Sequence, residues 1–489
     1  MKYLFLVNDA SFLFEFAGQV AHQLAKEPDT CLIVVNSKMA EYEKMRFFPG
    51  QAKMISKVDW CMKQYDGSKK EFGELSWREL YTVHERFNLQ AYDYQKCVGM
   101  VNQLYQFFEH IFEKEKPSVV IGEPPAGLFG LVAQYFCQKN NIPFCGIAES
   151  RIPGRIDLYD KEWTDSTFEK NFQNLKKEDL LPQEIAFAGD FIKKFISHET
   201  IYASYYLVKM RFGPLDFITH YIKRLKESGN ILMRYFLQRS DFKDFDYESE
   251  SIMRRSLSAP FRVVVRNVKI LLQKNIFDKT NPKDSYFFFP LQYEPEASTL
   301  VLATYYSNQL ATVKNTAIAL PFGYKLYLKE HPGSIGARKN SFYKEIKKIP
   351  NAVLLSSEES TPDIIKGSAG VITMTSTVGM EAAMAGKPVY VLGNVFYSYH
   401  PLCEKVVNFS DLEEKIRKGL GAKMETPDLE VINLRFIISY LRGTIPADIL
   451  EAADGQSGQA GLARVSSQKE DKNNYELICS KVKSRVLNI

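Results

Sequence analysis

The sequence predicts an α/β chain of two doubly wound, Rossmann-like halves facing a cleft, with a helical insertion between them. Three observations predict it. Short apolar runs rich in Val, Ile, Leu and Phe alternate with helical patterns over residues 1–158 and again over residues 284–425. A strand buried on both faces reads as such a run, and the intervening helices supply the two covers. The alternation stops between 159 and 283, and 489 residues are too many for one core.

The elements follow in order. Lys2–Val7 is an apolar strand, and a helical pattern then runs through Ala25. CLIVV at Cys31–Val35 is a second strand, and an aromatic helix spans roughly Tyr92–Glu113 by its apolar spacing. Lys116-Pro117 precedes the strand SVVIG, a Glu-Pro-Pro turn, a helix near Gly127–Lys139 and a strand at Ile142–Ile147. Residues 159–283 read as a helical, basic, Tyr/Phe-rich insertion whose basic face suits a membrane surface or an anionic glycan.

The second half has strands at Tyr286–Phe289, Tyr324–Leu328, Ala352–Leu355, Gly370–Thr373 and Val389–Leu392. Between them lie helices at Ser298–Ala319, Ser341–Lys348, Pro362–Gly367 and Val378–Ala385. Leu412–Leu420 and Val431–Leu441 are helical, with residues 426–453 closing the fold. DGQSGQAG starts a linker and tail over 454–489, whose last stretch is either a docked amphipathic helix or a loose end.

Composition excludes several classes. A net charge of +5 is too small to argue for nucleic acid. The seven cysteines form no CxxC pair or Cys/His cluster, so reduced thiols in a cytoplasmic protein are expected. The first apolar run is broken by Asn8 and Asp9 and reads as a strand, not a leader, and no apolar run of about 18 residues occurs.

Ligands of doubly wound sheets sit beyond the carboxyl ends of the strands. The informative residues lie there. Lys329-Glu330-His331-Pro332 follows one strand, with Arg338 close behind. Lys329 and His331 can donate to phosphate oxygens, and Pro332 fixes the turn. Thr375-Ser376-Thr377 follows another strand and opens a helix, where hydroxyls and free amides suit an anion. Gly379 permits close approach to the backbone, and Glu381 can accept ribose hydroxyls.

Gln292, Glu294 and Glu296 follow a third strand, with Glu296 beside a helix N-terminus that favours its ionised form. In the first half Glu149 and Arg151 follow a strand, the Arg tuning the acid across the cleft from the second half. Asp9 and Glu123 also follow strands and are candidates for the acceptor side. Asp244-Phe245-Asp246 spells a DxD, but no strand precedes it, so a metal role is set aside and no metal site is expected.

At these residues the sequence resembles the bacterial capsule polysaccharide synthesis family, which includes the Kdo transferases of capsule export. FPLQYEPEAS is similar to its Gln-x-acid-x-acid-Ala-Ser segment, and LKEHP to its His-Pro motif. STVGMEAAMAGKPVYVLG is similar to its Ser-Thr, Gly-x-Glu-Ala and Gly-Lys-Pro segment. Glu149 and Arg151 are similar to its Glu-x-x-Arg segment.

The resemblance implies a GT-B glycosyltransferase that moves a sugar, Kdo or another acidic sugar from a CMP donor, onto a glycan or glycolipid acceptor. No cofactor beyond the nucleotide sugar and no metal are expected, and the chain is expected in the cytoplasm, at the inner face of the membrane or with an export complex. The resemblance assigns Glu296 and Glu149 as the catalytic carboxylates, with Glu294 beside them. It assigns His331, Ser376 and Thr377 to the donor phosphate and Glu381 to the nucleotide sugar. Glu296 stands where the family favours Asp, so nucleophile in a retaining reaction and base in an inverting one both stay open. The alternatives are a UDP- or GDP-sugar transferase, a nucleotide-sugar epimerase of the same fold, and a non-catalytic assembly subunit.

Overall fold

The computed structural model describes residues 1–8, 14–25, 30–38, 40–41, 47–82, 92–160, 163–198, 244–273, 275–421, 429–447 and 475–487, with single positions at 222, 233 and 237. The chain divides into two compact units. The first is Met1–Asp165 with Lys223–Ala259 and Gly443–Ile489; the second is Ser166–Ile222 with Pro260–Arg442. Residues 159–283 are thus shared between the units.

The first unit runs β1 (Lys2–Val7), α1 (Phe14–Leu24), β2 (Thr30–Val35), β3 (Lys53–Ser56), α2 (Lys57–Gln64), α3 (Tyr94–Glu115), β4 (Val119–Gly122), α4 (Leu128–Lys139), β5 (Phe144–Glu149) and β6 (Arg155–Tyr159). The sheet order is β3-β2-β1-β4-β5-β6, and the short strand Ile445–Pro446 adds outside β6. Pairing is parallel from β3 to β5 and antiparallel at the β5–β6 hairpin and its outer neighbour. This is the 3-2-1-4-5-6 order of dinucleotide folds, with its switch point between β1 and β4.

Alternate residues serve opposite faces, as a pleated strand requires. Tyr3, Phe5, Ile33 and Val35 pack under α1 and the C-terminal helix Tyr475–Leu487, which buries Ile478, Cys479 and Val482. Leu4, Leu32, Val34 and Val120 pack under α3 and α4 with Leu104, Phe107, Phe108 and Phe136. The end of the chain is therefore a docked helix. All seven cysteines are free thiols, and six of them are buried.

The second unit runs α5 (Ser166–Asn174), α6 (Pro182–Ile196), the Pro260–Gln273 half of α7 (Tyr247–Gln273), β7 (Ser285–Pro290), α8 (Ala297–Leu300), α9 (Gln309–Ala319), β8 (Tyr324–Lys329), α10 (Asn340–Ile346), β9 (Ala352–Leu355), α11 (Thr361–Gly367), β10 (Val371–Thr373), α12 (Val378–Met384), β11 (Val389–Val391), β12 (Cys403–Lys405), α13 (Phe409–Gly421) and α14 (Leu429–Gly443). Its order is β9-β8-β7-β10-β11-β12, parallel throughout. The same 3-2-1-4-5-6 order recurs, with the switch point between β7 and β10. Both units are Rossmann-like.

The continuous helix expected at Ser298–Ala319 is broken. Only Ala297–Leu300 and Gln309–Ala319 are α-helical. The Thr304 hydroxyl bonds the Leu300 carbonyl at 2.8 Å, and Asn308 caps the second helix by accepting from the Ala311 amide at 3.2 Å. The Leu302 carbonyl freed by the break accepts from the Asn394 amide. Local Thr and Asn bonding outcompetes the helix here. Among the described residues, no helix is long and apolar enough to cross a membrane.

Candidate functional site

The second unit gathers its polar residues at the carboxyl ends of β8, β7 and β10, three neighbours in the sheet. After β8, Glu330 is fully buried and accepts three hydrogen bonds. They come from the His331 amide at 2.8 Å, Arg338 Nε at 3.0 Å and the Tyr343 hydroxyl at 2.7 Å. Burial pushes the Glu330 carboxyl up, and Arg338 and these donors oppose that. This anchor fixes the backbone that carries His331.

His331 Nδ1 accepts the Gly333 amide at 3.0 Å, which places the ring proton on Nε2. Burial, then the charges of Arg338 and Lys329, push its pKa down to about 4. The imidazole is therefore neutral at pH 7. Its Nε2–H is one directed donor, uncommitted among the described residues. The Tyr293 ring flanks it at 5.6 Å. Pro332 starts a short 3-10 turn, as the sequence suggests. Lys329 donates to the Thr361 hydroxyl. Burial lowers its pKa, and the nearby Glu381 charge raises it.

Arg338 ties the β8 loop to the β7 loop. It reaches Glu330, the Gln292 carbonyl, the Gln309 side chain at 3.3 Å and Glu294 at 3.4 Å. Glu294 Oε1 is buried without a hydrogen-bond partner among the described residues. Glu296 is exposed and accepts from the Ser298 hydroxyl at 2.8 Å. The helix that starts beside it has only four residues, so the expected help from a long helix dipole is reduced to that hydroxyl.

Gln292, expected at the cleft, is held against the backbone of its own loop. It is buried, its amide group turns back to the Pro290 carbonyl, and its backbone exchanges two bonds with Gln309. Two residues past the end of β7, these bonds hold its side chain inward.

After β10, the Thr375 hydroxyl bonds the Ser298 carbonyl at 2.9 Å and joins this loop to the β7 loop. Ser376 Oγ accepts the Val378 amide at 3.2 Å and keeps its own proton to donate. Thr377 is half-buried and its hydroxyl caps nothing in α12.

Gly379 corrects the sequence reading. It is buried, and a Cβ there would lie 2.4 Å from the Tyr397 hydroxyl, which itself bonds the Ser376 carbonyl. The close approach that glycine permits is made by Tyr397.

Glu381 is mostly buried, and its Oε2 lies 2.6 Å from His198 Nε2. His198 sits in a left-handed turn (φ 58) just after α6. Nothing in the sequence signals this pairing across 183 positions. Arg338, noted only as a neighbour of the His-Pro segment, is the other residue whose importance the sequence understates.

In the first unit Glu149 ends β5 and pairs with Ile156 in the β5–β6 hairpin, and Arg151 lies in its turn. Glu123 follows β4, beside the switch point of that sheet. Asp9 lies outside the described residues. Asp246 is buried and accepts from the Lys38 and Ser249 amides and the Ser249 hydroxyl, holding the start of α7. That is a structural use of the DxD-like stretch.

Residues 233–410 match the sequence model of the capsule polysaccharide biosynthesis protein family. The capsule-synthesis resemblance holds for this segment. It contains every site residue proposed in the second unit's strand ends, from Gln292 to Glu381. No curated protein matches the chain.

Solved structures similar to the chain include the beta Kdo 2,7 transferase of Thermosulfurimonas dismutans KpsC. It is 13% identical with a TM-score of 0.30, covering 68% of this chain and 80% of that one. The beta Kdo 2,4 transferase of the same protein is 12% identical with a TM-score of 0.34, covering 67% and 85%. A putative UDP-N-acetylglucosamine 2-epimerase from Listeria monocytogenes is 10% identical with a TM-score of 0.23, covering 93% and 94%. The two Rossmann-like units rest on the sheet topology above, not on these alignments.

Proposed function

We propose that the chain is a glycosyltransferase of capsule or surface polysaccharide synthesis, and that its second unit binds a nucleotide-sugar donor. One observation carries this reading: the capsule-family segment holds a neutral imidazole at the end of β8, the strand next to β7, with its Nε2–H uncommitted among the described residues. A single fixed donor of this kind suits a phosphate oxygen.

In this reading His331, Ser376 and Thr377 donate to the phosphate, and Lys329 supplies positive charge. Glu381, held at one oxygen by His198, offers the other to sugar or ribose hydroxyls. The donor class is a CMP-linked acidic sugar. A nucleoside monophosphate departs as the bond from the anomeric carbon to the phosphate oxygen breaks, and an acceptor hydroxyl takes its place. Glu296 is the exposed carboxylate available either to attack the anomeric carbon or to take the proton of the acceptor hydroxyl. Glu149 and Arg151 enter through their place after a strand and the family resemblance, Glu149 as acid/base, and Glu123 and Asp9 through their places after strands, as acceptor-side residues. The acceptor is a glycan or glycolipid.

The test is thermal stabilisation by CMP, UDP and GDP, followed by transfer assays. CMP should stabilise the wild type and fail to stabilise His331→Ala and Glu381→Ala. Glu296→Ala and Glu149→Ala should bind CMP and lose transfer. Stabilisation by UDP or GDP alone would remove the CMP assignment. Consumption of donor without any acceptor would replace transfer with epimerisation. Turnover lost in EDTA would contradict a metal-independent reaction.

A further inference from the structure

We infer that the second half of α7 docks on an anionic lipid surface. This half, from Pro260 to Gln273, is two-faced. Phe261, Val264, Val268, Leu271 and Leu272 are exposed, with Phe261, Leu271 and Leu272 at 72%, 77% and 66%. At about 100° per residue these five side chains fall within an arc of roughly 100°, one continuous stripe along the helix. Large apolar side chains clustered this way on a surface mark a contact with something else.

The opposite face is already occupied. Arg266 donates to the Ile335 carbonyl at 3.0 Å and the Gly333 carbonyl at 3.1 Å. Gln273 bonds the Arg338 carbonyl and the Asn340 side chain. Gly336 lies so close beneath that a Cβ would come within 2.6 Å of the Arg266 carbonyl and of Ile270. The helix is pinned by this face to the loop that follows His331, so the stripe is held outward rather than free to turn in.

Charge selects the occupant. Residues 251–277 contain six Lys or Arg and no Asp or Glu. An apolar stripe within an acid-free basic segment is the composition of helices that lie in a lipid interface. Anionic headgroups attract each nearby Lys or Arg by about 1 kcal/mol. A second copy of the chain fits less well. A two-fold contact through this stripe would set the same basic segment against itself, with like charges opposed. The inference does not depend on which nucleotide the unit binds.

The test uses the full chain and sedimentation with vesicles. It should partition onto mixed phosphatidylglycerol–phosphatidylcholine vesicles and far less onto phosphatidylcholine alone, and the binding should weaken with salt. L271S/L272S should lower the partition coefficient at least about tenfold, since each Leu loses burial in the interface. R262Q/K269Q should lower it roughly thirtyfold, from two lost electrostatic contacts. Leu271, Leu272 and Arg262 are exposed and Lys269 is half-buried at the surface, so both variants should stay folded, as melting temperatures close to wild type will show. Equal partitioning of wild type and L271S/L272S would overturn the proposal. So would equal binding to both vesicle types, or a solution dimer that L271S/L272S dissociates, which would assign the stripe to a second copy.

Discussion

Replacing His331 with Gln removes one titration that the fold suppresses. The folded imidazole has a pKa of about 4 against an ordinary 6.5, pushed down by burial and by Arg338 and Lys329. The shift is downward, so the folded state disfavours the protonated ring. Well above pH 6.5 neither folded nor unfolded His331 binds a proton, and it adds no pH dependence. As pH falls below 6.5 the unfolded chain gains a proton that the folded chain refuses, and stability drops until about pH 4. At pH 4.5 the linkage relation gives a loss of roughly 2–3 kcal/mol from this residue. Urea unfolding of wild type and His331→Gln at pH 7 and pH 4.5 measures it. The wild type should lose roughly 2–3 kcal/mol more than the variant between the two pH values. Other groups titrate in both proteins and cancel in the difference. Parallel pH dependence in the two proteins would refute the buried, neutral imidazole, and with it the directed Nε2–H on which the donor reading stands.

Three further outcomes test the site. Gly379→Ala should destabilise by about 1–3 kcal/mol because the new methyl meets the Tyr397 hydroxyl, and should cost less in a Tyr397→Phe background, as thermal melts of the double-mutant cycle will show. Arg338→Met should destabilise by about 3–5 kcal/mol, since it strands the buried Glu330, and Arg338→Lys should cost less, measured by chemical unfolding. His198→Ala should weaken CMP binding about tenfold by freeing Glu381, and His198→Gln should restore part of it; titration calorimetry showing equal affinities would exclude a positioning role.

The strands that the sequence reveals best are those buried on both faces, such as Cys31–Val35 and Tyr286–Phe289, because a continuous apolar run has few other uses. Strands near the sheet's margins carry a weaker signal. β3 exposes two of its four residues, and β6 mixes Arg155 and Asp157 with apolar residues in a hairpin turned back on β5. The helix from Ser298 to Ala319 reads as continuous because its apolar spacing survives the break. The hydroxyl and amide side chains that interrupt it act through bonds whose preference over the helix depends on the Asn394 amide nearly a hundred residues away.

By itself the sequence determined that two parallel α/β units exist and that polar residues follow their strands, because apolar periodicity and strand-end chemistry are local properties. The tertiary structure decided what each of those residues does. It turned Gln292 inward, filled the space at Gly379 with Tyr397, gave Glu330 to Arg338, and brought His198 to Glu381. Those outcomes depend on which atoms meet after folding, and burial and hydrogen-bond geometry between distant segments leave no periodic trace in the chain.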